Sequence, residues 1–223
     1  MQEQWTAVDR YITDLLVPAD AVLDAALASS VAAGLPPINV APNQGKLLQL
    51  LVRLQGARTV LEIGTLGGYS TIWMARALPA DGRLITLEAE PKHAEVARAN
   101  FTRAGLDRVI ELRLGRASDT LPQLAAEGSG RFDVVFIDAD KVSTADYFAW
   151  ALKLTHRGSL IIVDNVVRKG AVVDASSVDP DVQGVRRFNQ MLAAEKRVSA
   201  TAIQTVGSKG YDGFALALVI AEQ

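Results

Sequence analysis

The sequence predicts an α/β fold: a doubly wound, mostly parallel sheet of seven strands, its last pair antiparallel, behind an N-terminal helical cap. Three observations predict it. From residue 58 onward, short β-branched runs alternate with segments of helical length. The first of those runs passes through glycines directly into a helix. Two final apolar runs are joined by a Gly-rich stretch instead of a helix, as antiparallel neighbours are.

The elements follow in order. Helical patterns near residues 4–16, 19–33 and 44–54, broken by Gly34-Leu35-Pro36-Pro37, form the cap. Strand runs come at 59–63, 84–87, 109–112, 134–137 and 160–163, apolar enough to be covered on both faces. Between them, 69–78, 91–104, 118–126 and 144–154 have helical length, and Asp81-Gly82 and residues 128–130 read as turns. A helix over 182–196 precedes the closing strands 198–206 and 214–220, which residues 207–213 connect. Crossovers of this kind make the sheet Rossmann-like. No repeat, low-complexity tract or linker divides the chain, so residues 1–223 read as one domain, with 1–56 the cap and 57–223 the sheet core.

Composition narrows the function. A chain of 223 residues, 49% hydrophobic and 22% charged, can bury a full core. A net charge of -2 without a concentrated Lys/Arg run argues against nucleic-acid and membrane surfaces and leaves small molecules as partners. The absence of Cys removes disulfides and thiolate metal sites, and His93 and His156 are the only imidazoles. Residues 1–10 are polar where a secretion signal needs an apolar stretch, and the longest apolar runs are strand-length. A cytoplasmic location is the expectation.

The first strand ends in Leu61-Glu62-Ile63-Gly64-Thr65-Leu66-Gly67-Gly68-Tyr69-Ser70, at the point where open α/β sheets bind nucleotides. A dinucleotide site requires a glycine where Leu66 stands, and Glu62 would oppose a pyrophosphate. A nicotinamide-dependent oxidoreductase is therefore the disfavoured alternative. The sulfonium and ammonium of S-adenosylmethionine suit Glu62 instead, with Gly64, Thr65, Gly68, Tyr69 and Ser70 forming the turn around that cofactor. Glu88 ends the second strand, 26 residues after Glu62, and can accept hydrogen bonds from ribose hydroxyls. Ala117 and Ser118, after the third strand, stand where the adenine would lie.

The fourth and fifth strands each end in acid, at Asp138 and at Asp164-Asn165. In a doubly wound sheet these ends share one edge, so three hard oxygen donors converge there. Such a set suits Mg²⁺, or alternatively Ca²⁺ or Mn²⁺, and the lack of Cys and of placed His argues against zinc. Lys141, three residues after Asp138, supplies a complementary charge.

At these residues the chain resembles the cation-dependent O-methyltransferases of the caffeoyl-CoA and catechol type, specifically their bacterial members. The turn at 61–70, Phe136-Ile137-Asp138-Ala139-Asp140-Lys141 and Asp164-Asn165 carry the likeness, which spans nearly the whole chain. It implies cofactor contacts from Val40, Ser70, Glu88, Ala117, Asp138 and Asp140, metal ligation by Asp138, Asp164 and Asn165, and Lys141 as general base. It also implies a homodimer and a small hydroxylated aromatic acceptor. The chain departs from the animal enzymes at Pro36 and Asp140 and from the plant enzymes at residues 207–213 and at Lys169. A cofactor-binding module that has lost catalysis is the second alternative; it predicts damage at the metal positions, which are intact. Residues 166–181 with the cap should form most of the acceptor pocket, Arg168 and Lys169 being placed to receive an acidic acceptor tail.

Overall fold

A computed structural model describes residues 1–128 and 131–221. Three helices, α1 (Gln2–Leu16), α2 (Ala21–Ala32) and α3 (Pro42–Leu54), precede the sheet. The strands are β1 (Thr59–Ile63), β2 (Arg83–Glu88), β3 (Ile110–Leu114), β4 (Phe132–Ile137), β5 (Thr155–Asp164), β6 (Val198–Gly207) and β7 (Gly210–Val219). Helices α4 (Tyr69–Ala75), α5 (Pro91–Ala104), α6 (Ala117–Ala126), α7 (Thr144–Lys153) and α8 (Pro180–Ala194) connect them.

The strand order is β3-β2-β1-β4-β5-β7-β6, with β1 to β5 parallel and β7 antiparallel to both β5 and β6. This is the predicted architecture. The chain's direction of winding reverses between β1 and β4, and the strand carboxyl ends open a crevice there. Alternation along β1 assigns its residues to opposite faces. Leu61 and Ile63 join Leu121, Phe132, Phe148 and Phe188 beneath α6 to α8, while Val60 joins Leu48, Ile72, Met74 and Phe136 beneath the cap and α4. Burying each such side chain stabilises the fold by roughly 1.5–3 kcal/mol.

Differences from the expected elements are local. Strand β5 starts at Thr155, ahead of the apolar run at 160, because Thr155 already pairs with Phe132 across a bulge and the polar Ser159 hydroxyl is absorbed by the Phe132 carbonyl at 2.8 Å. Residues 168–173 form an unpredicted 3-10 turn, Arg168–Val173, in which Arg168 and Lys169 take φ of 53° and 56°. Of the turn expected at 128–130, residues 129 and 130 lie outside the described residues. Among the described residues no helix is long and apolar enough to cross a membrane.

Candidate functional site

The turn after β1 is held from two sides. Gly64 has φ of 100°, and a Cβ there would strike the Asp138 carbonyl, so only glycine lets this turn lie against the end of β4. From β2, Glu88 Oε2 accepts the backbone N–H groups of Thr65 (3.2 Å) and Leu66 (2.7 Å), and its Oε1 accepts that of Glu90 (3.0 Å). One carboxylate thus fixes the turn to the neighbouring strand.

Glu62 is completely buried behind the same turn. Its carboxylate accepts hydroxyl hydrogen bonds from Ser70 (2.6 Å), Thr86 (2.7 Å) and Thr71. Burial pushes its pKa up to about 7, the three hydroxyls opposing and the nearby Asp138 charge reinforcing the rise.

In front lies a cavity of about 610 Å³. Val40, Gly64, Thr65, Tyr69, Ser70, Glu88, Ala117, Asp138, Asp140, Lys141 and Asn165 line it, bringing together most of the residues singled out from sequence. Three expected cofactor contacts lie elsewhere. Glu62 sits behind the wall and is linked to the cavity through Ser70 and, by way of Thr86, through Thr65. Gly68 is turned against the Phe101 ring, where it begins α4. Ser118 is exposed, its hydroxyl 3.3 Å from Asp119, because the first turn of α6 points Ala117 inward and Ser118 outward.

Asp140 is held by Tyr147. The Tyr147 hydroxyl and the Ser143 N–H (2.9 Å) donate to its carboxylate. Burial alone would raise the Asp140 pKa, but these bonds and the Lys141 charge outweigh it and hold the group below the usual carboxylate range. Tyr147 is pushed up to about 12 by its own burial and by Asp140, so it stays a donor.

At the acid end, Lys141 Nζ donates to Asp138 Oδ1 at 2.8 Å. Gly184 of α8 packs against the Lys141 carbonyl so closely that a Cβ would collide with it, which fixes the backbone from which Lys141 projects. Asp164 is buried, accepting the Gln44 amide at 2.6 Å and the Asn165 N–H at 2.8 Å. Asn165 takes φ of 59°, a left-handed conformation that Asn tolerates better than most residues. Burial and the Asp138 charge raise Asp164 well above the usual carboxylate range, with Lys141, Asn165 and Gln44 opposing. Two carboxylates that repel and one amide oxygen form a donor set that fits a hard divalent cation. Among the described residues no group of three His, Cys, Asp or Glu side chains gathers to offer a different metal site.

A second cavity, of about 300 Å³, adjoins the first through Asn165. Asp164 lies on this side, with Asp9 of α1, Gln44 and Leu47 of α3, Lys169, and Lys209 and Tyr211 of the β6–β7 hairpin. Of the cap and residues 166–181, expected together to form most of the acceptor pocket, the cap lines this cavity with Asp9, Ala41, Asn43, Gln44 and Leu47, whereas the loop's share is corrected. Of residues 166–181 only Lys169 lines it, while Arg168 and Asp181, ion-paired at 3.0 Å, face the first cavity instead. The long, twisted hairpin reaches the site because its tip is tied to α1: Asp9 accepts the Ser208 N–H (2.7 Å) and Gln2 donates to the Gly207 carbonyl (2.9 Å).

A family model described as O-methyltransferase matches residues 19–220. The chain belongs to the O-methyltransferase family. A catechol O-methyltransferase of Niastella koreensis is 58% identical over 96% of this chain and 96% of its own length. The solved O-methyltransferase of Bacillus cereus, in complex with SAH, superposes with a TM-score of 0.97 at 58% identity, covering 98% of this chain and 100% of that one. An O-methyltransferase of tomaymycin synthesis from Streptomyces achromogenes, in complex with SAM, has a TM-score of 0.96 at 53% identity over 99% of each chain.

Membership of the O-methyltransferase family sets the nicotinamide alternative aside. It also frames what the sequence reading missed in this O-methyltransferase. Gln44 carried a signal in its place at a helix start, but nothing local linked it to Asp164, 120 residues away. Tyr147 lies one α7 turn past the metal-and-base motif and reads as core. Lys209 stood in a Gly-rich connection that looked like a bare hairpin turn.

Proposed function

We propose that this chain is an S-adenosylmethionine-dependent, divalent-metal-assisted O-methyltransferase for small aromatic acceptors with two neighbouring oxygens. The observation that carries the reading is the meeting of the two cavities at Asn165, with Asp138 and Lys141 on one side and Asp164 on the other. The larger cavity has the volume for a nucleoside-sized methyl donor, and Glu88, Ala117 and Ser70 on its wall support that use. Related structures described as complexes with SAM and SAH support it further.

Asp138, Asp164 and Asn165 would hold the cation, Mg²⁺ or alternatively Ca²⁺ or Mn²⁺. When bound, such an ion supplies Lewis acidity toward acceptor oxygens. The chain's own contribution is orientation and proton transfer. The second cavity holds the acceptor ring beside Leu47 and Tyr211, so that one hydroxyl faces the donor cavity. In its neutral amine form Lys141 Nζ, 2.8 Å from Asp138, takes the proton of that hydroxyl; the acceptor oxygen then bonds the methyl carbon as the C–S bond breaks and the thioether leaves with the electron pair. Glu62, through Ser70, keeps the donor side of the turn rigid.

The proposal extends to one catalytic unit acting as a homodimer, since α1 has no buried residue and exposes Tyr11, Leu15 and Leu16. Light scattering giving the monomer mass at micromolar concentration would remove that part. For the chemistry, methyl transfer from labelled S-adenosylmethionine to catechol is measured before and after chelation. Turnover should fall to background with chelator and return with excess Mg²⁺, whereas chelator-insensitive turnover would overturn the metal's role.

A further inference from the structure

The second cavity contains positive charge that methyl transfer does not use. Three of its wall residues are acids, and each is already answered by donors of the protein. Asp9 receives the Asn43 amide (2.9 Å) and the Ser208 N–H (2.7 Å); Asp164 receives Gln44 and Asn165. Asp212 Oδ1 receives the N–H groups of Val167 (3.0 Å), Arg168 (2.9 Å) and Gly213 (3.0 Å). The two lysines of the wall are answered by no acid. Lys209 Nζ donates only to the Pro37 carbonyl, at 3.0 Å, and Lys169 forms no ion pair among the described residues.

Both lysines are solvent-exposed, but each is fixed where it meets the cavity. Lys209 sits at the hairpin tip, which α1 and the Pro37 segment hold in place, and partial desolvation pushes its pKa down. Lys169 is set by a backbone at φ of 56°, a strained conformation kept by the N–H bonds of Val167 and Arg168, just before it, to Asp212. Two ammonium groups without a counter-ion on one cavity wall attract an anion brought between them. The metal end already accounts for the acceptor's two oxygens, so the anion must be a further group on the same molecule. A cavity of about 300 Å³ limits that molecule to a compact one.

We infer that the acceptor is an aromatic acid, a vicinal diol on a ring whose carboxylate, remote from the diol, is bound by Lys209 and Lys169. The inference rests on the proposed function of the same site and names the substrate class. Lys209 and Lys169 are then specificity-determining residues, and the carboxylate contact, made equally before and during methyl transfer, acts on KM more than on kcat.

The test compares kcat/KM for 3,4-dihydroxybenzoate and for catechol, with labelled methyl donor and Mg²⁺, in the native enzyme and in Lys209→Met, Lys209→Arg and Lys169→Met. The native enzyme should prefer the acid by about tenfold or more, the scale of one charge-assisted hydrogen bond. Lys209→Met should lose most of that preference through KM, Lys169→Met part of it, and Lys209→Arg should retain it, which shows that the variants fold and that charge is what matters. A native preference near unity, or a preference that survives in Lys209→Met, would overturn the inference while leaving the methyl-transfer reading intact. Failure of the native enzyme to methylate either compound would instead remove the reading on which it rests.

Discussion

The two cavities that meet at Asn165 are built in different ways. Most of the first cavity's wall comes from the carboxyl ends of β1, β2 and β4 and the residues after them, with Val40 from the cap, Ala117 after β3 and Asn165, Arg168 and Asp181 beyond β5, so much of it is written in contiguous motifs such as 61–70 and 136–141. The acceptor cavity takes Asp9 from the first helix, Gln44 from the third, Lys169 from a strained turn and Lys209 from the closing hairpin. One is set mainly by the ends of the parallel strands. The other is assembled across 200 residues, the separation of Asp9 and Lys209. Under the proposed function, the difference teaches that methyl-donor chemistry belongs mainly to the sheet, while acceptor choice belongs to the cap and hairpin.

Substitutions on the two sides should separate accordingly. The largest effect is expected at the boundary: Lys141→Ala should lower kcat by about 10²–10⁴-fold, the worth of a positioned general base, while the donor still raises the melting temperature of the variant. Full turnover in that variant would remove Lys141 from the chemistry. Next, glycines of similar φ should respond unequally. Gly64→Ala forces a Cβ into the Asp138 carbonyl and should cost about 3 kcal/mol or more. Gly210→Ala in the hairpin, with φ of 95° but only the Gln2 side chain 3.8 Å away, should cost about 1 kcal/mol. Equal losses by calorimetry would erase the contrast between a crowded donor turn and an open hairpin.

Glu62 gives the donor side a pH signature. Its pKa in the folded chain is raised from 4.5 to about 7, so the folded state holds a proton that the unfolded state releases. The stability this contributes is fully present below pH 4.5 and is lost as pH rises through 7, a change of about 3 kcal/mol. Denaturant melts of the donor-free protein at pH 4.5 and pH 8 should show the native chain losing more stability than Glu62→Gln over that range. Parallel losses would mean that Glu62 is ionised at both ends. The smallest effect is expected at Ser118, whose exposed hydroxyl lies off the donor wall. Ser118→Ala should change donor affinity less than about twofold by calorimetric titration.

The same contrast explains what was legible in the sequence. The doubly wound parallel sheet, the antiparallel closing pair and the placing of Asp138, Asp164 and Asn165 at one sheet edge follow from rules about parallel sheets that act on short segments. Gly64 was legible because a turn between strand and helix needs it. Ser118 stands off the cavity wall because a single position in a helix turn decides inward from outward, and its neighbour Ala117 holds the inward one. Glu62 was expected to meet the cofactor by charge; the hydroxyls of Ser70, Thr71 and Thr86 hold it behind the wall instead. Gln44, Tyr147 and Lys209 were missed since their roles arise only when distant segments are brought together, as when α1 ties down the hairpin tip.

The convergence of both cavities on one oxygen cage is tested most directly by titrating Mn²⁺ into the full chain with S-adenosylmethionine present and following the free-ion signal by electron paramagnetic resonance. One bound ion per chain is expected, with affinity reduced about 100-fold or more in Asp164→Ala, a residue on the acceptor side of Asn165. Undiminished binding in Asp164→Ala, or no bound ion in the native chain, would contradict the shared site.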